Sequence, residues 1–276
     1  MAITIGPGWS IGGGWAIGEI GGGGGGTQKA IFGYGGFYNS ITNLVSTTGL
    51  VAADTTGVGT ARFGLAAATY GTDKAIFGYG DSGSLTAITN LVSNTGVVAT
   101  DTAGVGTARR QLAAAGYGTD KALFGYGWNS ASTYYSLTNL VSNTGVVAND
   151  TAGVGTVRGV LAASRYGSSG QAIFGYGGNN SNELSMTNLV SNTGVVATDT
   201  TGVGTARRGL AAASYGTDKA IFGYGQNSSG TSVSMTNLVS NTGVVATDTT
   251  GVGTARFNLA AAGYGVGTAI FGYGTI

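Results

Sequence analysis

The chain has 276 residues, of which 55 are Gly, one is Pro and none is Cys or His, and its net charge is +1. A balance so close to neutral gives no electrostatic footprint for nucleic acid or for an anionic membrane. The missing Cys and His exclude disulfide staples, the usual zinc sites and His- or Cys-based nucleophilic machinery. Charged residues make up 8%, against roughly 25% in an average soluble protein. Thr, Ser and Asn carry the polarity instead, a composition that suits β-structure with many tight turns.

Residues 1–28 stand apart. Trp9-Ser10-Ile11-Gly12-Gly13-Gly14 and Trp15-Ala16-Ile17-Gly18-Glu19-Ile20 form a short repeat, followed by the hexaglycine Gly21–Gly26. Hexaglycine holds no fixed conformation without outside support. The segment reads as a docking or assembly device, with Trp9, Ile11, Trp15 and Ile17 as apolar anchors on a Gly stem. A tail without a partner is the plainer alternative. Met1–Ile20 has no basic stretch ahead of an apolar core, so no secretory signal is expected, and no apolar run reaches the roughly 18 residues of a transmembrane helix.

From Lys29 to Ile276 the chain repeats itself. The run Phe-Gly-Tyr-Gly places its Phe at Phe32, Phe77, Phe124, Phe174, Phe222 and Phe271, at intervals of 45–50 residues. Thr-Asn-Leu-Val follows with Asn43, Asn90, Asn139, Asn188 and Asn237. One unit from Arg207 shows the order. Leu210–Tyr215 is a small-residue run, Gly216-Thr217-Asp218 a turn and Lys219–Tyr224 a β-rich run. A variable stretch, Gln226–Met235, comes next. Thr236–Ser240 and Val244–Asp248 are two further runs, and Thr249–Thr254 leads to Arg256. Four short strands separated by turns make the unit of a propeller blade.

The sequence predicts an all-β fold, a five-bladed β-propeller over residues 29–276 with four-stranded blades. N-terminal strands within Lys29–Asp54 are expected to share the closing blade with Leu259–Tyr264, which would remove free sheet edges. The sixth Phe-Gly-Tyr-Gly, at Phe271–Gly274, is then one strand too many. Either it displaces the N-terminal copy in the closing blade, or it starts an incomplete sixth blade.

Arg207, Leu210-Ala211-Ala212-Ala213 and Ile221-Phe222-Gly223-Tyr224-Gly225 occur in the order of a kelch repeat, which the chain resembles over residues 29–276. It departs from that pattern where Gly-Tyr-Gly replaces the double Gly and where the outer-strand Tyr and Trp are missing. The opening Met1–Trp9, with Lys-Ala-Ile-Phe-Gly-Tyr-Gly and Thr-Asn-Leu-Val-Ser-Asn-Thr-Gly-Val-Val, is similar to kelch-like repeat proteins encoded by aquatic bacteriophages.

Charge is periodic too. Asp54, Asp101, Asp150, Asp199 and Asp248 recur once per repeat, as do Arg62, Arg109, Arg158, Arg207 and Arg256. Identical copies suit one structural ion pair or hydrogen bond per repeat, since an active site needs different residues in different roles. The recurring Gly-Val-Gly-Thr lacks the Lys-Ser/Thr of a phosphate loop and reads as a turn. No enzyme, cofactor or metal site is expected. Asp81 and Glu183 are the carboxylates outside the repeated pattern that a catalytic reading would turn to.

Variation concentrates between Phe-Gly-Tyr-Gly and Thr-Asn-Leu. These loops carry Phe37, Tyr38, Asp81, Trp128, Tyr134, Tyr135, Asn180, Glu183, Gln226 and Asn227. Variable loops rich in Tyr, Trp, Ser and Asn on a uniform scaffold follow the logic of a paratope, and aromatic faces beside Asn and Ser suit carbohydrate. Tolerant surface loops show the same variability. The resemblance implies a structural and binding protein of an extracellular particle, such as a phage tail fibre or other virion appendage. It would be released by lysis, joined to other virion proteins or further copies through residues 1–28, and touch a host-surface glycan or protein through the loops. A kelch-type scaffold for protein–protein interaction, with no virion role, is the alternative.

Overall fold

The run Ala-Ile-Phe-Gly is apolar at consecutive positions, and such a strand must be covered on both faces. The computed structural model, which describes residues 16–20, 29–35, 38–264 and 267–276, covers it in that way. Five three-stranded antiparallel sheets follow one another: β1 (Ala16–Ile20), β2 (Lys29–Gly33) and β3 (Thr42–Val45); β4 (Ala66–Tyr70), β5 (Lys74–Gly78) and β6 (Thr89–Val92); β7 (Ala113–Tyr117), β8 (Lys121–Gly125) and β9 (Thr138–Val141); β10 (Ala162–Tyr166), β11 (Gln171–Gly175) and β12 (Thr187–Val190); and β14 (Ala211–Tyr215), β15 (Lys219–Gly223) and β17 (Thr236–Val239). The pair β18 (Ala260–Tyr264) and β19 (Thr268–Gly272) ends the series, and a small ribbon joins β13 (Arg207–Arg208) to β16 (Gln226–Asn227).

The first strands of successive sheets are neighbours: β1 beside β4, then β7, β10, β14 and β18, and β18 lies beside β1 again. Their side chains alternate. Ala66, Ala68 and Tyr70 are buried between sheets, while Ala67 and Thr69 line a narrow cavity of about 60 Å³ together with Ala114, Ala163, Ala212 and Ala261. Small residues are required where the strands converge. The space holds water at most, far short of the roughly 300 Å³ of a small-molecule site.

Each middle strand meets the next sheet through one contact. Phe77 lies over Gly33, where a Cβ would come within 2.7 Å of the ring, and Phe124, Phe174 and Phe222 lie equally close, at 2.6 Å, over Gly78, Gly125 and Gly175. Phe271 takes this place over Gly223 and Phe32 over Gly272. The following Tyr turns the chain with a positive φ of 59–67° at Tyr34, Tyr79, Tyr126, Tyr176, Tyr224 and Tyr273, a conformation that costs a non-Gly residue roughly 1–2 kcal/mol. Its ring is held edge-on by the next Phe, as in Tyr79–Phe124 at 5.1 Å between centroids. Packing thus explains Gly-Tyr-Gly: the first Gly admits a ring, and the Tyr fills the gap between sheets.

Two expectations are corrected. Ala260–Tyr264 does not complete the first sheet. Ala16–Ile20 pairs there, with Ile17 opposite Phe32, and Phe271 belongs to a two-stranded sheet of its own. Both pairings join strands adjacent in sequence, which costs less loop-closure entropy than joining the two ends of the chain. Part of the segment 1–28 is therefore a strand of the first sheet. The fourth run of each repeat is not a full strand; it touches the third only at isolated bridges, such as Val92↔Val98 and Thr89↔Thr102.

Candidate functional site

The periodic Arg and Asp form a structural layer between sheets. Arg62 is fully buried. Its Nε donates to Tyr79 O at 2.8 Å, Nη1 to Thr60 O at 3.0 Å and Nη2 to Asn90 Oδ1 at 2.6 Å, with the guanidinium 4.5 Å from the centroid of the Tyr34 ring. Asp101 accepts from Asn90 Nδ2 at 2.9 Å and from Thr60 Oγ1 at 2.6 Å. Arg109, Arg158 and Arg207 repeat the arrangement over Tyr79, Tyr126 and Tyr176. Burial pushes the Asp101 carboxyl up, but the Thr60 and Asn90 hydrogen bonds and the Arg62 charge outweigh it and hold the group below its usual value. Burial also raises Tyr79 and Tyr176 to about 12, opposed by Arg109 and Arg207. Each of these four arginines hydrogen-bonds within its own sheet and lies over a Tyr ring of the preceding one, which accounts for its burial.

The variable loops lie beside residues that precede the first strand of each sheet. Bridges join Phe63 to Asp81, Arg110 to Trp128 and Gly159 to Gly178, and β13 pairs Arg208 with Gln226. One connected face results. Asp81 is nearly buried, and its Oδ2 accepts from Arg110 Nη1 at 2.8 Å. The Arg110 guanidinium lies 5.5 Å from the Phe63 ring and 4.4 Å from the Trp128 ring, and Tyr134 stacks on Trp128 with centroids 5.7 Å apart and planes at 16°. Trp128 Nε1 donates to Gln111 Oε1 at 2.6 Å. The Nε of Arg110 is buried without an acceptor among the described residues.

The expected residues fall around this stack. Tyr38 is 48% exposed and packs edge-on against Phe63. Tyr135 OH accepts from Asn129 Nδ2 at 3.1 Å, and Asn180 Nδ2 donates to Ser132 O of the preceding loop at 3.0 Å. Glu183 lies 3.5 Å from Arg208, whose Nη2 reaches Gln226 Oε1 at 3.5 Å. Asn227 Oδ1 accepts backbone N–H groups of its own loop from Ser229 and Thr231. Phe37, Trp9, Ile11 and Trp15 lie outside the described residues.

Trp128 is held between Arg110 and Tyr134, so it braces the face and is not an open platform. Asp81 and Glu183 are each tied to an arginine and sit in different loops. Sequence reasoning missed Phe63, Arg110 and Gln111. The signal was present, because the two positions after the periodic Arg read Phe-Gly, Arg-Gln, Gly-Val, Arg-Gly and Phe-Asn from repeat to repeat. They vary as the loops do. Compared with known proteins, the chain matches no family model and no curated protein.

Proposed function

We propose that the sheets are blades of a kelch-like β-propeller. The cyclic neighbourhood of β1, β4, β7, β10, β14 and β18 supports six inner strands around one axis. In this reading the chain is a non-enzymatic binding and structural protein of an extracellular particle, such as a tail fibre or virion appendage. The loop face contacts a host-surface ligand, and the chain's N-terminal segment joins it to the particle. The observation that carries the proposal is the stack Phe63–Arg110–Trp128–Tyr134, which ties the variable loop of Trp128 and Tyr134 to that of Asp81 through Arg110 on an otherwise uniform scaffold. An aromatic and cationic surface with Asn side chains suits the hydroxyl and carbonyl oxygens of a glycan.

The test is binding of the full chain to an array of bacterial surface polysaccharides, beside the Tyr134→Ala variant and an Arg110→Ala variant. The proposal expects at least one polysaccharide to bind and both variants to lose about tenfold or more. An array silent to a folded full chain, with a stable protein partner captured instead, would move the chain to the class of protein-interaction scaffolds.

A further inference from the structure

The last sheet is incomplete in a defined way. In the other sheets the middle strand pairs outward with Thr-Asn-Leu-Val: Ala75↔Val92, Ile76↔Leu91, Phe77↔Asn90 and Gly78↔Thr89, and likewise in β2, β8, β11 and β15. β19 has the same Ala269-Ile270-Phe271-Gly272 but pairs only with β18 among the described residues. Ile76 and Phe77 are fully buried, whereas Ile270 and Phe271 are half-exposed.

An independent defect matches it. Arg256 lies over the Tyr224 ring at 4.9 Å, as its four counterparts lie over theirs. Yet its Nε, which in the counterparts donates to the Tyr carbonyl after the middle strand, is buried with no acceptor among the described residues, so the guanidinium is not seated as theirs are. The counterparts place Nη2 on the Asn of the third strand and lie near the Asp eleven residues beyond it, and the last sheet has neither residue. Residues 1–28 contain no Asn and no Asp, so that segment cannot supply them. Each Thr-Asn-Leu-Val strand of this chain is already paired in its own sheet. A second copy therefore has no such strand to give without breaking a sheet.

We propose that the outer edge of β19, with Arg256 behind it, receives an extended strand of a different polypeptide that carries Thr-Asn-Leu-Val and an Asp eleven residues after the Asn. The register is fixed by the other sheets: Thr opposite Gly272, Asn opposite Phe271, Leu opposite Ile270 and Val opposite Ala269. The Asn side chain accepts from the guanidinium, and the Asp adds the opposite charge. Backbone pairing supplies affinity and the Arg–Asn–Asp set supplies register.

The probe is a labelled peptide with the chain's own sequence from Thr236 to Asp248, added to the full chain and followed by fluorescence anisotropy. Saturable one-to-one binding is expected. It should weaken at least tenfold when the peptide's Asn or Asp is changed to Ala, and equally for the Arg256→Ala protein. Arg256→Ala should stay folded, with a melting temperature only slightly below the parent's, because Arg256 makes no hydrogen bond among the described residues and loses only its contact with the Tyr224 ring. Arg256→Lys, which keeps charge but loses the fork, separates a folding defect from a lost contact by binding with intermediate affinity. No binding, or binding indifferent to both the Asn and Arg256, would overturn the proposal. So would self-association of the full chain that the peptide disperses, which would make a second copy the donor.

Discussion

Arg109→Met removes the guanidinium that ties two sheets together and keeps most of the side-chain volume. The variant loses donors to Tyr126 O at 2.7 Å, Thr107 O at 2.9 Å and Asn139 Oδ1 at 2.8 Å, and a ring contact 4.4 Å from the Tyr79 centroid. Arg109 and Asn139 are both fully buried, so the Asn139 and Tyr126 oxygens are left without donors, and Asp150 loses its nearby charge. Breaking one side of such a buried set costs about 3–5 kcal/mol. For a chain of this size that is a fall in Tm on the order of 10 °C. Arg256→Met supplies the internal control. The same atoms are removed over an equivalent ring, but no hydrogen bond is lost, so the cost should stay near the roughly 0.5–1 kcal/mol of an exposed cation–π contact. Urea unfolding of both variants, followed by circular dichroism, gives the comparison. Equal losses, or an Arg109→Met protein as stable as the parent, would refute the view that these arginines hold the sheets through hydrogen bonds to acceptors on their own sheet and a ring contact to the preceding one.

Gly125→Ala places a methyl 2.6 Å from Phe174 Cζ, and urea unfolding should show a loss of about 1–3 kcal/mol from overpacking. Stability should also fall in alkali. Tyr79 and Tyr176 have folded-state pKa values raised to about 12 from 10.0, so their contribution is complete below pH 10 and is lost as pH rises through 12. A shift of this size corresponds to about 3 kcal/mol per group at most, readable as a falling Tm over that window and as late-titrating tyrosine absorbance. At the acid end the sign reverses. Asp101, Asp150, Asp199 and Asp248 have lowered values, so their contribution is present above the ordinary 3.8 and disappears as pH drops below it, seen as a lower urea midpoint.

Much of the fold was legible because each repeat carries two strands whose residues permit little else. Ala-Ile-Phe-Gly must be buried on both faces, and Thr-Asn-Leu-Val pairs with it in one register. The once-per-repeat Arg and Asp were legible as a structural set for the same reason, since one environment repeated needs one residue repeated. The closing strands were not legible. Ala16–Ile20 shares little of its sequence with Ala66–Tyr70, and a strand that pairs mainly through its backbone needs little of the side-chain pattern. In the loops, Tyr38 and Trp128 stood out as aromatic. Their setting depended on Phe63 and Arg110, which belong to another part of the repeat and reach the face only through tertiary bridges.

The proposed ring is the claim on which a single binding face depends, and the Cys-free chain allows a direct test. Phe32 and Tyr273 lie 4.9 Å apart across the seam, and Tyr126 and Phe174 lie 5.1 Å apart at an internal interface. Each pair is replaced by two cysteines and treated with dibromobimane, which fluoresces strongly only on bridging two thiols. Bridging at both pairs, with the same yield in dilute solution, is the predicted result. Bridging at Tyr126→Cys/Phe174→Cys without bridging at Phe32→Cys/Tyr273→Cys would contradict closure, and with it the single face.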